Sequence, residues 1–448
     1  MLFEKIDIID ENFEYVPNQY VLVNGDAGTI DYIGAEKPSK FESESNTYDG
    51  AGKLMLPAMY NAHAHAPMTL LRGYAENAPL QKWLNDMVWP YEAKMTADDN
   101  YWACKLALAE MARYGCVGYS DMYYATKERA RATKESHMKA NLCTSPIAFE
   151  PKPISEYPNY EEMQYAIKNI HESDEGRLRF DACVHAEYTS NDVTCKSTID
   201  WARENNVAIH IHLSETRSEV EDCKGRHNGM SPVQWFESLG AFDIPAVAAH
   251  CVWVDDSDIE ILAKHNVNVV YNPASNMKLA SGFAPVAKML KAGVNVCLGT
   301  DGMASNNNHN MYSDMYLMAL LSKGHEGDPT LITPAQALRA ATRGGAIAQG
   351  RPDCGLVKAG YKADLAILDV TGPAWCPMTD PVCNVVYAGS GSDVVLTMCD
   401  GVVVYERKGG HDTWPTIDVG QAKSEVNARH ARICEELAKD AEKATSAE

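Results

Sequence analysis

The chain has 448 residues, too many for one ordinary core, and its 46% hydrophobic and 23% charged residues are the composition of a folded protein, which excludes wholesale disorder. Sixty-one acidic against forty basic residues leave a formal charge of −21, a field that repels phosphate backbones and anionic headgroups and so excludes nucleic acid and membrane surface as main partners. No stretch approaches the ~20 apolar residues of a membrane span, residues 1–10 carry acids where a signal peptide is basic and then apolar, and the thirteen cysteines include no Cys-x-x-Cys pair, so a cytoplasmic chain with reduced thiols is expected.

The first fifty residues read as β-rich, with Tyr20-Val21-Leu22-Val23-Asn24-Gly25 and Thr29-Ile30-Asp31-Tyr32-Ile33-Gly34 separated by turn residues. From Lys53 to about Arg343, short apolar runs alternate with longer amphipathic patterns, the texture of a parallel sheet with crossover helices. Strands are predicted at 54–61, 117–122, 141–148, 178–185, 207–213, 246–250, 267–271 and 294–298, with helices such as 100–114, 199–205, 258–265 and 284–292 between them. Residues 355–369 and 394–406 return to strand texture, and 421–448 is a charged, Ala-rich helix that reads as a solvated face or a subunit contact. The fold class expected is α/β: a distorted TIM (β/α)8 barrel over 55–355, a small β-sandwich domain built from 1–54 and 356–420, and a terminal helix over 421–448. No repeat of fixed period is visible, which excludes a solenoid.

His63-Ala64-His65 closes the first predicted barrel strand, and residues i and i+2 of a strand face one side, so both imidazoles reach one ion. His212 ends the fifth strand, with Glu215 three residues on, a spacing that suits a ligand beside an acid/base; His210, one layer deeper, reads as a hydrogen-bonded core histidine. His250 ends the sixth strand and Asp301 the eighth, where a carboxylate at the end of an apolar run calls for a cation as partner. Met311, Met315 and Met318, at helical spacing, read as core, and His309 as structural.

This set, with Leu56-Pro57-x-x-x-Asn61-x-His63-x-His65, Pro79-Leu80-x-x-Trp83-Leu84, Trp89-Pro90-x-Glu92 and His212-Leu213-Ser214-Glu215-Thr216, resembles the amidohydrolase superfamily. The resemblance is nearest to its methylthioadenosine/S-adenosylhomocysteine deaminase and chlorohydrolase group, through Asn272-Pro273-x-Ser275-Asn276-x-Lys278-Leu279-Ala280-Ser281-Gly282, Thr300-Asp301-Gly302-x-x-Ser305-Asn306-Asn307 and Gly360-x-x-Ala363-Asp364-Leu365. It spans nearly the whole chain. It implies one divalent metal per chain, zinc before iron, held by His63, His65, His212 and Asp301; the strand over 178–185 offers no lysine to bridge a second ion. It implies that Asp301 takes the proton of an attacking water that His250 orients, and that Glu215 begins as an acid, protonates a ring nitrogen and then helps ammonia leave. It also implies that Ser305 and Asn306 brace the site.

The resemblance further implies substrate contacts from Trp83, Glu92, His185 and Glu215, with Glu92 on ribose hydroxyls, hence a hydrolytic deaminase of an adenosine-type nucleoside such as methylthioadenosine, adenosine or 5′-deoxyadenosine. Relatives that accept S-adenosylhomocysteine carry arginines after the third strand; 141–175 holds none, only Lys152 nearby, so that substrate is expected to be poorer. The alternative is an aminohydrolase or chlorohydrolase of a free heterocycle such as a triazine, pterin or guanine. A small-molecule substrate and a homo-oligomer are expected; a silent scaffold would have lost metal ligands, and none of the set is missing.

Overall fold

The computed structural model describes residues 1–38 and 46–446. Two five-stranded sheets form the centre of the molecule. In the first, Asp301–Gly302, Met59–His65, Cys116–Met122, Lys139–Cys143 and Leu178–Phe180 lie side by side, all neighbours parallel. In the second, Ala182–Val184, Ile209–Leu213, Ala246–His250, Asn268–Tyr271 and Asn295–Leu298 follow the same rule. Their residues are almost all buried, which is why these strands read as continuous apolar runs instead of alternating ones.

The chain passes directly between the two sheets at both seams, through Asp181 and again through Gly299 and Thr300. Gly299 is required there: a Cβ would stand 2.7 Å from the His63 carbonyl oxygen. The predicted strand over 178–185 is therefore two short strands, and the run over 54–61 also divides, at Ala58.

Crossover helices include Ala97–Arg113, Asp192–Asn205, Arg217–Arg226 and Asp256–Lys264; of these, the first, second and fourth start three, seven and two residues before the helices expected at 100, 199 and 258. Thr96, Asn191, Thr216 and Asp255 each accept a backbone N–H of the first turn. Met311, Met315 and Met318 are fully buried on the helix Met311–Glu326.

Strands from both ends of the chain share a third sheet, in the order His411–Thr413, Val402–Lys408, Val394–Cys399, Leu365–Asp369, Lys53–Pro57, Leu2–Ile9, Tyr15–Asn24, Thr29–Gly34, with Thr47–Asp49 also against Leu2–Ile9. The join is the antiparallel pair Leu365–Asp369 and Lys53–Pro57, over a cluster that includes Phe3, Ile6, Met55, Leu365 and Met398. Lys139 ties this sheet to the parallel strands: its ammonium, 3% exposed, reaches Asp364 and, at 2.7 Å, Asp400. The terminal helix Val419–Ser446 packs on Ala97–Arg113, and His430 Nδ1 meets both the Leu70 carbonyl (3.0 Å) and the Tyr91 hydroxyl (2.8 Å). The last two positions of the predicted helix, and 39–45 of the predicted N-terminal unit, lie outside the described residues. Among the described residues no helix is long and apolar enough to cross a membrane, and all thirteen cysteines are free.

Candidate metal centre and active site

The side-chain period of two turns His63 and His65 to one side of Met59–His65, and the register sets Asp301 beside Ala64, directly between them. Ile209–Leu213 brings in His210 and His212 by the same rule from the second sheet. One ligand atom from each of His63, His65, His212 and Asp301 lies within 4.8 Å of all the others. Asp301 Oδ1 stands 3.2 Å from His65 Nε2 and 3.5 Å from His63 Nε2, and the Nε2 atoms of His65 and His212 are 3.3 Å apart.

The outer nitrogens decide what the inner ones are. His65 Nδ1 faces the Met122 carbonyl (2.5 Å) and His212 Nδ1 the His185 carbonyl (2.8 Å), and a carbonyl only accepts, so both rings carry their proton on Nδ1 and present Nε2 inward. His63 Nδ1 pairs with His210 Nε2 at 3.0 Å, while His63 Nε2 is buried without a hydrogen-bond partner. Three inward nitrogens, one of them buried without a partner, and one carboxylate fit a divalent cation. Electrostatics point the same way. Burial pushes the His63 imidazole down to about 4, and burial with its histidine neighbours pushes His212 well below the ordinary range, so both stay neutral. Burial would also lower His65, but Asp301 outweighs it and raises the ring to about 8, a demand for positive charge at this point. For Asp301 burial opposes ionisation, and His63 and His65 overcome it and hold the carboxyl well below its usual range.

Asp301 Oδ2 accepts from the hydroxyls of Ser275 (2.5 Å) and Ser305 (3.2 Å), which aims the other oxygen at the histidines. Asn306 Nδ2 donates to the Thr300 carbonyl (2.9 Å) and to Asp314 (3.1 Å), bracing the turn that carries Asp301. Asp301, His250 and Ser214 hold φ of 61°, 76° and 51°, a left-handed conformation that side chains rarely adopt and that these contacts must maintain.

Glu215 is buried, with Ser281 donating to Oε1 at 3.1 Å and His250 Nε2 3.7 Å from Oε2. Burial first, and the charge of Asp301 second, push its carboxyl up to about 8, so it is an acid at neutral pH. Burial lowers His250 to about 4; Asn276 Nδ2 donates to its Nδ1 at 3.0 Å, which leaves the ring proton on Nε2, facing Glu215. The loop itself is set by Glu219, whose carboxyl oxygens accept the backbone N–H groups of Ser214 (2.8 Å), Glu215 (2.7 Å) and Thr216 (3.4 Å).

One cavity of about 780 Å3, counting its open mouth, has His65, His212, Glu215, His250, Asp301 and Ser305 at its base and Trp83, Glu92 and His185 on its walls. Trp83 is buried with its indole N–H on the Ala75 carbonyl (3.2 Å), so it offers the cavity only its ring. Glu92 accepts from the Tyr123 hydroxyl (2.5 Å) through Oε1, and burial pushes its carboxyl up to about 7. His185 pairs its Nδ1 with Thr189 (2.9 Å), and burial holds its ring neutral, down to about 3. Lys152 lies elsewhere, paired with Glu150 at 3.1 Å and 4.5 Å over the Tyr157 ring. His309 is buried beside Thr300 (3.2 Å), away from the ligand atoms.

Trp83, Glu92, His185, Glu215, His250, Ser305 and the four ligand residues thus meet at this cavity or directly behind it, with Asn306 behind Asp301, whereas Lys152 and the three core methionines do not line it. Several others sit there that the sequence reading gave no role: Tyr123, Tyr188, Ser275, Asn276, Ser281, Glu219 and the fully buried Asp121, which accepts from the Ala66 N–H (2.6 Å) and Arg129 (2.9 Å). Glu219 alone had a readable signal, the capping-box spacing Thr216-x-x-Glu219.

The chain matches the model of the Amidohydrolase family over residues 54–404. It is 43% identical over 371 residues to a 5-methylthioadenosine/S-adenosylhomocysteine deaminase of Dictyoglomus thermophilum, covering 82% of this chain and 85% of that one. With the protein of the same name from Acetivibrio thermocellus it shares 39% identity over 435 residues, 97% of this chain and 99% of the other. An adenosine deaminase structure from Xanthomonas campestris with bound zinc superposes with a TM-score of 0.88 at 28% identity, covering 97% and 98% of the two chains.

Proposed function

Because the chain belongs to the amidohydrolase family, we propose that it is a metal-dependent hydrolytic deaminase that converts an adenosine-type nucleoside to the inosine-type product and ammonia. The observation that carries this reading is the pairing, in one cavity, of a buried acid, Glu215, with an ionised base, Asp301, above three inward imidazole nitrogens. Three imidazoles and a carboxylate suit zinc, and iron takes the same set. A divalent metal held by His63, His65, His212 and Asp301 supplies, when bound, a more acidic water at neutral pH.

The residues do the rest. Asp301, held ionised, accepts a proton from the attacking water. His250, with its proton on Nε2, orients that water. Glu215, protonated at neutral pH, donates to the ring nitrogen beside the attacked carbon, which makes that carbon a better electrophile, and a proton returned through the same carboxyl leaves with ammonia. Trp83 supplies a flat apolar wall for the base or the 5′ group, and His185 a neutral ring at the rim. Glu92 Oε2 has no hydrogen-bond partner among the described residues and is free to accept from a ribose hydroxyl.

The two parallel sheets are best read as halves of one distorted (β/α)8 barrel over 55–355, since Asp301–Gly302 returns to pair with Met59–His65. We read the shared sheet of both chain ends as the core of a β-sandwich domain over 1–54 and 356–420. A cytoplasmic homo-oligomer completes the proposal.

Ammonia release by purified protein, assayed across methylthioadenosine, adenosine, 5′-deoxyadenosine, guanine, pterins and triazines, tests the function. Turnover of the nucleosides, with KM raised at least about tenfold in Glu92→Gln, is the expected result. Turnover of free heterocycles alone would replace it with the aminohydrolase or chlorohydrolase reading, in which Glu92 has no ribose to hold.

A further inference from the structure

The wall that carries Trp83 and Glu92 is one continuous helical segment with an irregular middle. Leu80–Trp83 is α-helical, Leu84–Val88 is a π-turn, and Trp89–Glu92 is α-helical again. The Trp89 N–H reaches back five residues to the Leu84 carbonyl, where an α-helix would reach back four. On an uninterrupted α-helix each residue turns about 100°, so Trp83 and Glu92, nine positions apart, would face about 180° away from each other. One extra residue in a turn makes them equivalent to positions eight apart, about 80° from each other, and both then reach the same cavity. That is what is observed, with Leu80, Leu84, Val88 and Trp89 on the same wall.

The cause lies in the sequence. Pro90 has no N–H for the Asp86 carbonyl, and its ring would collide with that carbonyl in a regular α-helix. Widening the turn before it removes the collision, and proline and π-turns are among the few causes of such an irregularity. The widened turn projects Asn85 and Asp86 to solvent, so nothing in the core demands the extra residue.

We propose that Pro90 is a positioning residue for substrate: by forcing the π-turn over Leu84–Val88 it rotates Glu92 from the outer face of the helix into the cavity beside Trp83. This rests on the reading of Glu92 as the nucleoside-holding carboxylate. Replacing Pro90 restores an N–H and permits a regular helix, which turns Glu92 away while leaving His63, His65, His212 and Asp301 untouched.

The test is Pro90→Ala, alone, with Glu92→Gln, and with deletion of the exposed Asp86. In Pro90→Ala the KM for methylthioadenosine or adenosine should rise at least about tenfold with kcat within threefold and metal content unchanged. In the Glu92→Gln background the same change should add less than twofold, because the carboxylate it displaces is already gone. Deleting Asp86 together with Pro90→Ala makes the segment a plain α-helix with Trp83 and Glu92 eight positions apart, and should restore the low KM. An unchanged KM in Pro90→Ala, additive effects with Glu92→Gln, or no rescue by the deletion would overturn the proposal. A crystal structure of Pro90→Ala reads the device without any turnover: a regular helix with Glu92 turned outward supports it, and a Trp89 N–H still on the Leu84 carbonyl overturns it. If the wild-type protein deaminates no nucleoside, the functional reading falls, and that structure still decides the positioning claim.

Discussion

Glu215 is the residue on which pH acts most directly. Its role requires the protonated carboxyl, and burial with the nearby Asp301 charge pushes its loss of proton from the ordinary carboxylate range up to about 8. A raised carboxyl pKa means the acid form is present below about 8 and lost above it, so kcat/KM should be flat near neutrality and fall about tenfold per pH unit on the alkaline side. Glu215→Gln, which keeps the shape and removes the transferable proton, should lower kcat by about 10²–10⁴ and abolish that alkaline limb. A limb that survives the substitution would assign it to another group. The histidines make a second prediction at the same scale. Four ligand atoms converge on one point, so purified protein should hold about one divalent ion per chain, and His63→Ala His65→Ala should lose it, read by elemental analysis after gel filtration. Retention of metal by that variant, or two ions per chain, would place the ion elsewhere.

At the scale of elements, the parts legible in the sequence are those whose signal is a local period. Strand ends that carry His63, His65, His212, His250 and Asp301 could be found because each closes an apolar run, and a parallel sheet gathers such ends on one side. The division of 54–61 at Ala58 was not legible, because both halves are apolar and only their partners differ: one pairs with Leu365–Asp369, the other with Cys116–Met122. The groups that fix the histidine rings, the Met122 and His185 carbonyls, are backbone atoms and leave no mark on residue identity. The π-turn before Pro90 escaped for a related reason, since a reading at 3.6 residues per turn puts Glu92 on the wrong face. Lys139 illustrates the limit from the side of stability. In the sequence it lies outside the strand expected at 141–148 and carries no signal, yet its ammonium is the buried counter-charge of Asp364 and Asp400, more than 200 residues away. Removing it leaves the buried Asp364 carboxylate without its cation and Asp400 with only Arg177, 3.8 Å away. Lys139→Ala should therefore cost about 3–5 kcal/mol of stability, seen as a lower urea midpoint, while the folded fraction keeps its metal. A loss under 1 kcal/mol would show that water or another cation serves these acids.

For the whole molecule, charge argues about substrate choice. The chain carries a formal −21, and the carboxyls lining the cavity are Glu92, Glu215 and Asp301, of which Asp301 is held ionised, while none of the described residues lining it is a lysine or arginine. For an apolar 5′ group, such as that of methylthioadenosine, the cavity offers the rings and aliphatic side chains of Met68, Leu80, Trp83, Leu84 and Tyr188. S-adenosylhomocysteine ends instead in an amino-acid group whose carboxylate gains most from a bidentate guanidinium, and leaving it without a cation carries a desolvation cost of several kcal/mol. Lys152 is the cation nearest in sequence to the cavity wall at Ser145 and Ile147, but it is held by Glu150 and Tyr157. The relatives from Dictyoglomus thermophilum and Acetivibrio thermocellus bear a name that includes both substrates, so this chain is expected to depart from half of it. The expected result is a kcat/KM for S-adenosylhomocysteine at least about tenfold below that for methylthioadenosine or adenosine, corresponding to about 1.4 kcal/mol of transition-state binding. Lys152→Ala should leave that ratio unchanged, since the side chain is engaged elsewhere. Equal values for the two nucleosides, with the S-adenosylhomocysteine value collapsing in Lys152→Ala, would mean that the lysine swings from Glu150 to the bound carboxylate as a point contact, and that charge does not exclude the longer substrate.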